Sequence, residues 1–282
     1  RSRNNVDDRI EGGHLLLPAD FHRCLGRATS ALEGIIRHVE ELRGEYSDLD
    51  TLQHELAAQK GLTEKWGLNF LAALILSGGR QRPQVYAQLK LPQPSEIEQC
   101  AYESSGPRQY FSLRVGQEKT TRSIDLPKVL FPRMMVKFMQ FHVLTMRPVI
   151  MNQVSSSSTR LMLRHGVEYD PEEMRAVSAE QTLLVHTRNG KSLSSGDVKR
   201  SLSRFLGCID PELSGITPMA IRGSYASMML QAHRQRQILP ELNETEFIEF
   251  LAKQMNTSSE QLAMTYASCG ADGFEDVANA VM

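Results

Sequence analysis

The 282-residue sequence has almost no charge of one sign to spare: 32 Lys and Arg against 33 Asp and Glu leave a formal net charge of −1. That balance excludes indiscriminate affinity for polyanions, although it permits a local cationic groove. There are four cysteines, Cys24, Cys100, Cys208 and Cys269, far apart and without a C-x-x-C pair. Their scatter speaks against a disulfide framework or a zinc site and for reduced, intracellular thiols. No apolar run reaches the roughly 18 residues of a membrane span, and the opening RSRNNVDDRI lacks the apolar core of a signal peptide. The abrupt start reads as that of an excised fragment.

What is present is ample apolar material. A hydrophobic content of 41% is enough for a real core in one large or two modest domains. After a polar start, the run FHRCLGRATSALEGIIRHVEELRGEY sets Leu25, Leu32, Ile35, Ile36, Val39 and Leu42 three and four apart, which predicts a helix. From Gly61, WGLNFLAALILS predicts an apolar helix that stops at Gly78 and Gly79, and Pro83 suits the first turn of the next. Residues 108–126 alternate, with Phe111, Leu113 and Val115 on one face, a turn at Gly116, then Ile124 and Leu126; this predicts a hairpin with Lys119 at its turn end. LPKVLFPRMMVKFMQFHVL returns to helical spacing, and its methionines and phenylalanines read as core.

Residues 151–181 turn polar, a serine run followed by an acidic patch, and read as a loop or insertion with no assigned role. LLVHTRNGKSLSSGDVKRSLSRFLG then predicts a short strand, an Asn189-Gly190 turn, and a helix capped near Ser194 or Ser195 with Val198, Leu202 and Leu206 inward. His186, on the apolar strand, reads as structural.

In the last quarter, Thr217 and Pro218 read as N-cap and first residue of a helix whose buried face holds Ile221, Met228, Met229 and Ala232, with Arg222 beside its start. His233, about three turns after Arg222, reads as a surface residue. Thr257 and Glu260 fit a capping box opening a short helix that carries Leu262 and Tyr266. The tail GADGFEDVANAVM sets Phe274, Val277 and Val281 at helical spacing.

An arginine near a helix start and a tyrosine on a later short helix resemble two boxes of the tyrosine recombinase (integrase) superfamily. Met219-Ala220-Ile221-Arg222 stands for its H-x-x-R box, and Met255-Asn256-Thr257 up to Tyr266 for its final box. The degenerate boxes look most like those of eukaryotic Crypton-type transposon recombinases. Upstream, the first arginine box falls on Arg80 or Arg82; Arg82 is favoured, because Leu89 then stands seven positions on, where the family has a packing leucine. The string E-K-T-x-R around Lys119 resembles the family's strand pair with a mobile lysine. The resemblance runs from about residue 61 to 270, with the boxes in the family's order.

The resemblance implies a mainly α fold with a small β-sheet. A helical, core-binding-like segment at residues 1–60 would precede a catalytic domain at 61–282, closed by a tail helix. It implies a nuclear enzyme that cleaves and rejoins double-stranded DNA through a 3'-phosphotyrosyl intermediate, without metal or nucleotide cofactor. Partners would be DNA and further copies of the chain, a dimer or tetramer on paired sites, with possible exchange of C-terminal helices.

Side-chain chemistry fits such roles. A phenol, Tyr266, attacks once nearby positive charge helps it lose its proton. Two permanently charged, planar guanidiniums, Arg82 and Arg222, grip the phosphate oxygens, and the ammonium of Lys119 protonates the leaving 5' oxygen. Arg80, Met219, Asn256 and Thr257 would lie around the phosphate. Met219 and Thr257, or Asn256 in the shifted register, replace the family's histidines. Methionine carries no proton to exchange, and threonine or asparagine offers only a hydrogen bond. The alternative expectation is therefore a domesticated, inactive DNA-binding or adaptor protein.

Overall fold

The computed structural model describes residues 16, 18–46, 48–59, 61–78, 81–92, 110–114, 128–154, 182–255, 257–260 and 262. The fold is mainly helical, as expected, with one antiparallel two-stranded sheet among the described residues. The helices are α1 (Pro18–Glu45), α2 (Leu49–Ala58), α3 (Leu62–Ser77), α4 (Pro83–Ala87), α5 (Met134–Phe141), α6 (Ser195–Ile209), α7 (Pro218–Arg234) and α8 (Glu244–Gln254); the strands are β1 (Tyr110–Arg114) and β2 (Lys128–Pro132). They form two compact units, each drawn from separate stretches of chain. One takes the described parts of Leu25–Gly78 and Pro83–Leu202, the other those of Arg1–Cys24, Gly79–Arg82 and Ser203–Met282.

The first unit is built on α3. Ten of its sixteen residues are buried, including Trp66, Phe70 and the run Leu71–Leu76. A helix apolar on all sides is a central one, and α3 packs against α2, α5 and β2. Trp66 stacks on Phe70 at 5.8 Å between ring centroids, and Phe70 stacks on the imidazole of His142 at 4.3 Å. α1 adds Leu32, Ile35, Ile36 and Val39 to the buried face, as its spacing predicts, whereas Leu25 and Leu42 stay half-buried near its flanks. α3 stops at Gly78, whose amide donates to the Leu74 carbonyl at 2.9 Å.

An antiparallel strand pair is present, with Phe111 opposite Phe131 and Leu113 opposite Val129, but its second strand is not the one expected; Gly116, Lys119, Ile124 and Leu126 lie outside the described residues. The observed second strand lies at Lys128–Pro132, a segment whose sequence spacing continues into the following helix and predicts helix there. Pairing with β1 overrides that local preference, and the helix begins only at Met134. After α5 the backbone widens into a π-helical turn, His142–Met146, then resumes as helix to residue 154. The turn at Asn189-Gly190 is present. His186 and Lys191 close it at 2.8 Å, and Gly190 takes φ +67, where a side chain is strained. The expected LLVH strand is reduced to one isolated bridge, Val185 with Ser192, and a second bridge pairs Lys90 with Thr182 just before it.

The second unit packs α7 on α8 around Ala226, Leu230, Phe247, Leu251, Ala252, Met255 and Leu262. Thr217 caps α7 by accepting from the Ala220 amide at 3.2 Å, with Pro218 in the first turn. A reciprocal box of Asn243 and Glu246 opens α8 at 3.0 and 2.9 Å. Two expectations change here. The buried face of α7 runs through Ile221, Arg222, Ala226, Leu230 and His233, while Met228, Met229 and Ala232 are half-buried. His233 is interior, 6% exposed, stacked 4.1 Å from Phe247 with Nδ1 3.1 Å from the Ile238 carbonyl. The chain turns back on itself after α7, through positive φ at Arg236 and Leu239, and that reversal covers the ring.

Candidate functional site

The arginine of the first box is positioned from its N-terminal side. Gln81, 7% exposed, donates its Nε2 hydrogen to the Gln254 carbonyl at 3.3 Å. That carbonyl is among the last of α8, which have no partner inside their own helix. One side-chain amide therefore ties the segment before α4 to the end of α8, 173 positions away in sequence. Arg82 is the next residue and is exposed; Pro83, lacking an amide hydrogen, opens α4 immediately after it. Leu89, expected as a packing residue, is fully buried.

On the other side of that tie, the chain leaves α8 through Met255, which is buried in the core shared with α7. The Thr257 amide donates to the Ala252 carbonyl at 3.0 Å, which folds this segment back over the last turn of α8. The next helix starts at Ser259, and its first bond runs from the Leu262 amide to the Ser258 carbonyl at 2.9 Å, so Ser258 takes the N-cap place expected of Thr257. Thr257 is half-buried.

α7 contributes the second box. Met219 lies in its first turn and is 42% exposed, and Arg222 follows one turn later with 2% exposed. The two proposed phosphate arginines thus belong to one compact unit but differ in surroundings, Arg82 facing water and Arg222 enclosed. Ser224, one position pair beyond, is fully buried and accepts from the Leu16 amide at 2.9 Å, so α7 also anchors the chain before α1. In the same unit, burial pushes the Cys24 thiol up to about 11, partly offset by Arg23; it stays protonated and is a packing residue.

Four of the eight expected site positions, Arg80, Lys119, Asn256 and Tyr266, lie outside the described residues. Among those described, Arg82, Met219, Arg222 and Thr257 fall in the same unit, carried by two of its stretches of chain, Gly79–Arg82 and Ser203–Met282. Gln81, which sets where Arg82 starts, gives no sequence signal, because its partner is a backbone carbonyl far along the chain. Among the described residues no group of three or more His, Cys, Asp or Glu could hold a metal ion, and no helix is long and apolar enough to cross a membrane. Compared with known proteins, the chain matches no protein-family model, no curated protein and no solved structure.

Proposed function

We propose that the chain is a DNA-cleaving and rejoining enzyme of the tyrosine recombinase kind, most like the Crypton-type transposon recombinases. The observation that supports this best is the tie from Gln81 to the Gln254 carbonyl, which joins the first arginine segment to the end of α8, the helix packed on the α7 that carries the second arginine box. Convergence of residues so far apart in sequence onto one unit is what a phosphate site assembled from separate boxes requires. In this reading Tyr266 attacks the phosphorus, its phenolic proton passing to solvent, and a phosphotyrosyl bond forms as the bond to the 5' oxygen breaks. Lys119 delivers the proton to that oxygen, and Arg82 and Arg222 hold the non-bridging oxygens. The enzyme acts in the nucleus as a multimer on paired duplex sites.

A second reading, an inactive DNA-binding or adaptor protein that keeps the fold, is favoured by two particular residues. Arg222 is 2% exposed and Met219, in a histidine's place, is an exposed thioether with no proton to give. A nicked suicide duplex, incubated with the protein and resolved by denaturing electrophoresis, separates the two. The enzyme reading expects a covalent adduct that disappears in Tyr266→Phe and falls by about 10²–10³-fold in Arg82→Ala, the scale for losing one preorganised charge contact. Retarded DNA with no adduct supports the second reading; an adduct that persists in Tyr266→Phe removes Tyr266 as the nucleophile.

A further inference from the structure

Four large apolar side chains stand exposed among the described residues, and three of them lie on two helix faces. Met134, 46% exposed, and Leu144, 54% exposed, belong to α5 and the π-helical turn after it; Phe250, 38% exposed, belongs to α8. On the first face Met134, Lys137, Phe141 and Leu144 recur every three or four positions, the spacing of one side of a helix, with Phe141 half-buried between the exposed ends. Arg133 and Lys137 flank the apolar side chains, both exposed, and neither side chain has an ion pair or hydrogen bond among the described residues. No Asp or Glu occurs from residue 126 to residue 167, although those two types supply 33 of the chain's 282 residues. The first turn of α5 therefore lacks the carboxylates that a helix start favours, and it carries Lys137, with Arg133 at the N-cap, where the helix dipole opposes positive charge.

The outer face of α8 is complementary to this one. Glu246, Glu249, Phe250 and Lys253 lie on one side of the helix, all exposed, so an aromatic ring stands beside two carboxylates with a single cation at the far end. Glu246 accepts from the Asn243 amide in the cap of α8, whereas Glu249 has no partner among the described residues. A nucleic-acid backbone would satisfy Arg133 and Lys137 but leave Met134 and Leu144 in water. Two copies of the α5 face would set cation against cation. An acidic helix face with an aromatic anchor answers both the charge and the apolar side chains. Both faces stand exposed in a single chain, so each is open to another copy.

We infer that the chain self-associates head to tail, the α5 face of one copy seating the α8 face of the next, with Phe250 on the stripe from Met134 to Leu144 and the glutamates toward Arg133 and Lys137. A contact between unlike surfaces leaves one of each free at the ends, so it builds rings or open rows rather than closed pairs. It needs no DNA. The 282-residue chain is followed by sedimentation velocity without DNA over a range of protein and salt concentrations. The expected mass rises above that of one chain as protein concentration increases and falls back as salt screens the charges. Lys137→Glu and Glu249→Lys each weaken association several-fold, and the chain carrying both regains it, because the swapped charges meet again across the contact. Phe250→Ser weakens it about tenfold, the scale for losing an aromatic anchor. All three positions are exposed, and an unchanged thermal midpoint shows that each variant folds; Leu144→Ser provides a second apolar test on the opposite face. The mass of one chain at every concentration would overturn the inference, and so would association that the charge reversals leave unchanged or that the double reversal does not restore. Because the measurement contains no DNA, its failure leaves the adduct experiment intact, and the reverse holds too.

Discussion

His142 is held by two hydrogen bonds that settle its protonation. The Trp66 indole donates to Nδ1 at 2.9 Å, so that nitrogen carries no proton, and Nε2–H donates to the Leu183 carbonyl at 3.0 Å. Burial, opposed in part by that carbonyl, lowers its pKa from 6.5 to about 4. The unfolded chain therefore binds a proton that the folded chain refuses between those values. The contribution is complete above pH 6.5 and is lost as pH falls toward 4, amounting to roughly 3 kcal/mol. Urea unfolding across this window should show that loss in wild type and not in His142→Gln, which is less stable at pH 7. Asp197 acts in a lower window. The Ser194 hydroxyl first, then the Ser194 amide at 2.8 Å and His186 at 3.0 Å, hold its carboxyl well below the usual range. Its contribution is full above about pH 4 and is lost as pH falls through the lowered value. Asp197→Ala removes the reciprocal cap of α6 and should cost about 1 kcal/mol at pH 7, with a gentler acid slope below pH 4. None of the His142 bonding is legible in the sequence, since tautomer and burial depend on residues 76 and 41 positions away.

Among the elements, those with a strong repeating apolar pattern and a chemical stop could be read in advance. α1, α3 and α7 begin and end near where their stripes, glycines and prolines indicate, because helix caps are local devices. β2 could not be read so. Val129, Leu130 and Phe131 suit a helix stripe as well as a strand, and only pairing with β1 decides between them. The candidate site divides along the same line: the boxes are visible as short motifs, while the Gln81 tie and the enclosure of Arg222 arise from packing. The junction of α3 with β2 gives a test at this scale. A Cβ built on Gly78 would stand 2.7 Å from Phe131 Cε1 and 2.9 Å from the Leu74 oxygen. Neither atom is the end of a flexible side chain, since one belongs to a fully buried ring and the other to the backbone. Gly78→Ala should therefore destabilise by about 1–3 kcal/mol, read as a lower denaturant midpoint, and Phe131→Leu in the same chain should recover part of it.

For the molecule as a whole, a net charge of −1 means that the DNA affinity proposed above would have to come from particular cations rather than from overall attraction. Each cation that meets a phosphate releases condensed counterions, so the dependence of log affinity on log salt counts the contacts. In the proposed reading Arg82, exposed next to the Gln81 tie, meets a phosphate without rearrangement, and Arg82→Gln should lower the magnitude of that slope by about one. Arg222 is the discriminating case. If the chain clamps a phosphate with both guanidiniums, binding must bring the enclosed Arg222 into contact with DNA, and Arg222→Gln lowers the slope by a similar amount. Arg222→Lys then keeps the slope but weakens binding, because it retains the charge and loses the two-pronged geometry. If the chain only holds DNA on its surface, Arg222→Gln leaves the slope untouched and shows itself as a lower thermal midpoint, the mark of an interior arginine removed. Measured together on one duplex, the three slopes and the three midpoints separate a phosphate clamp from a structural arginine.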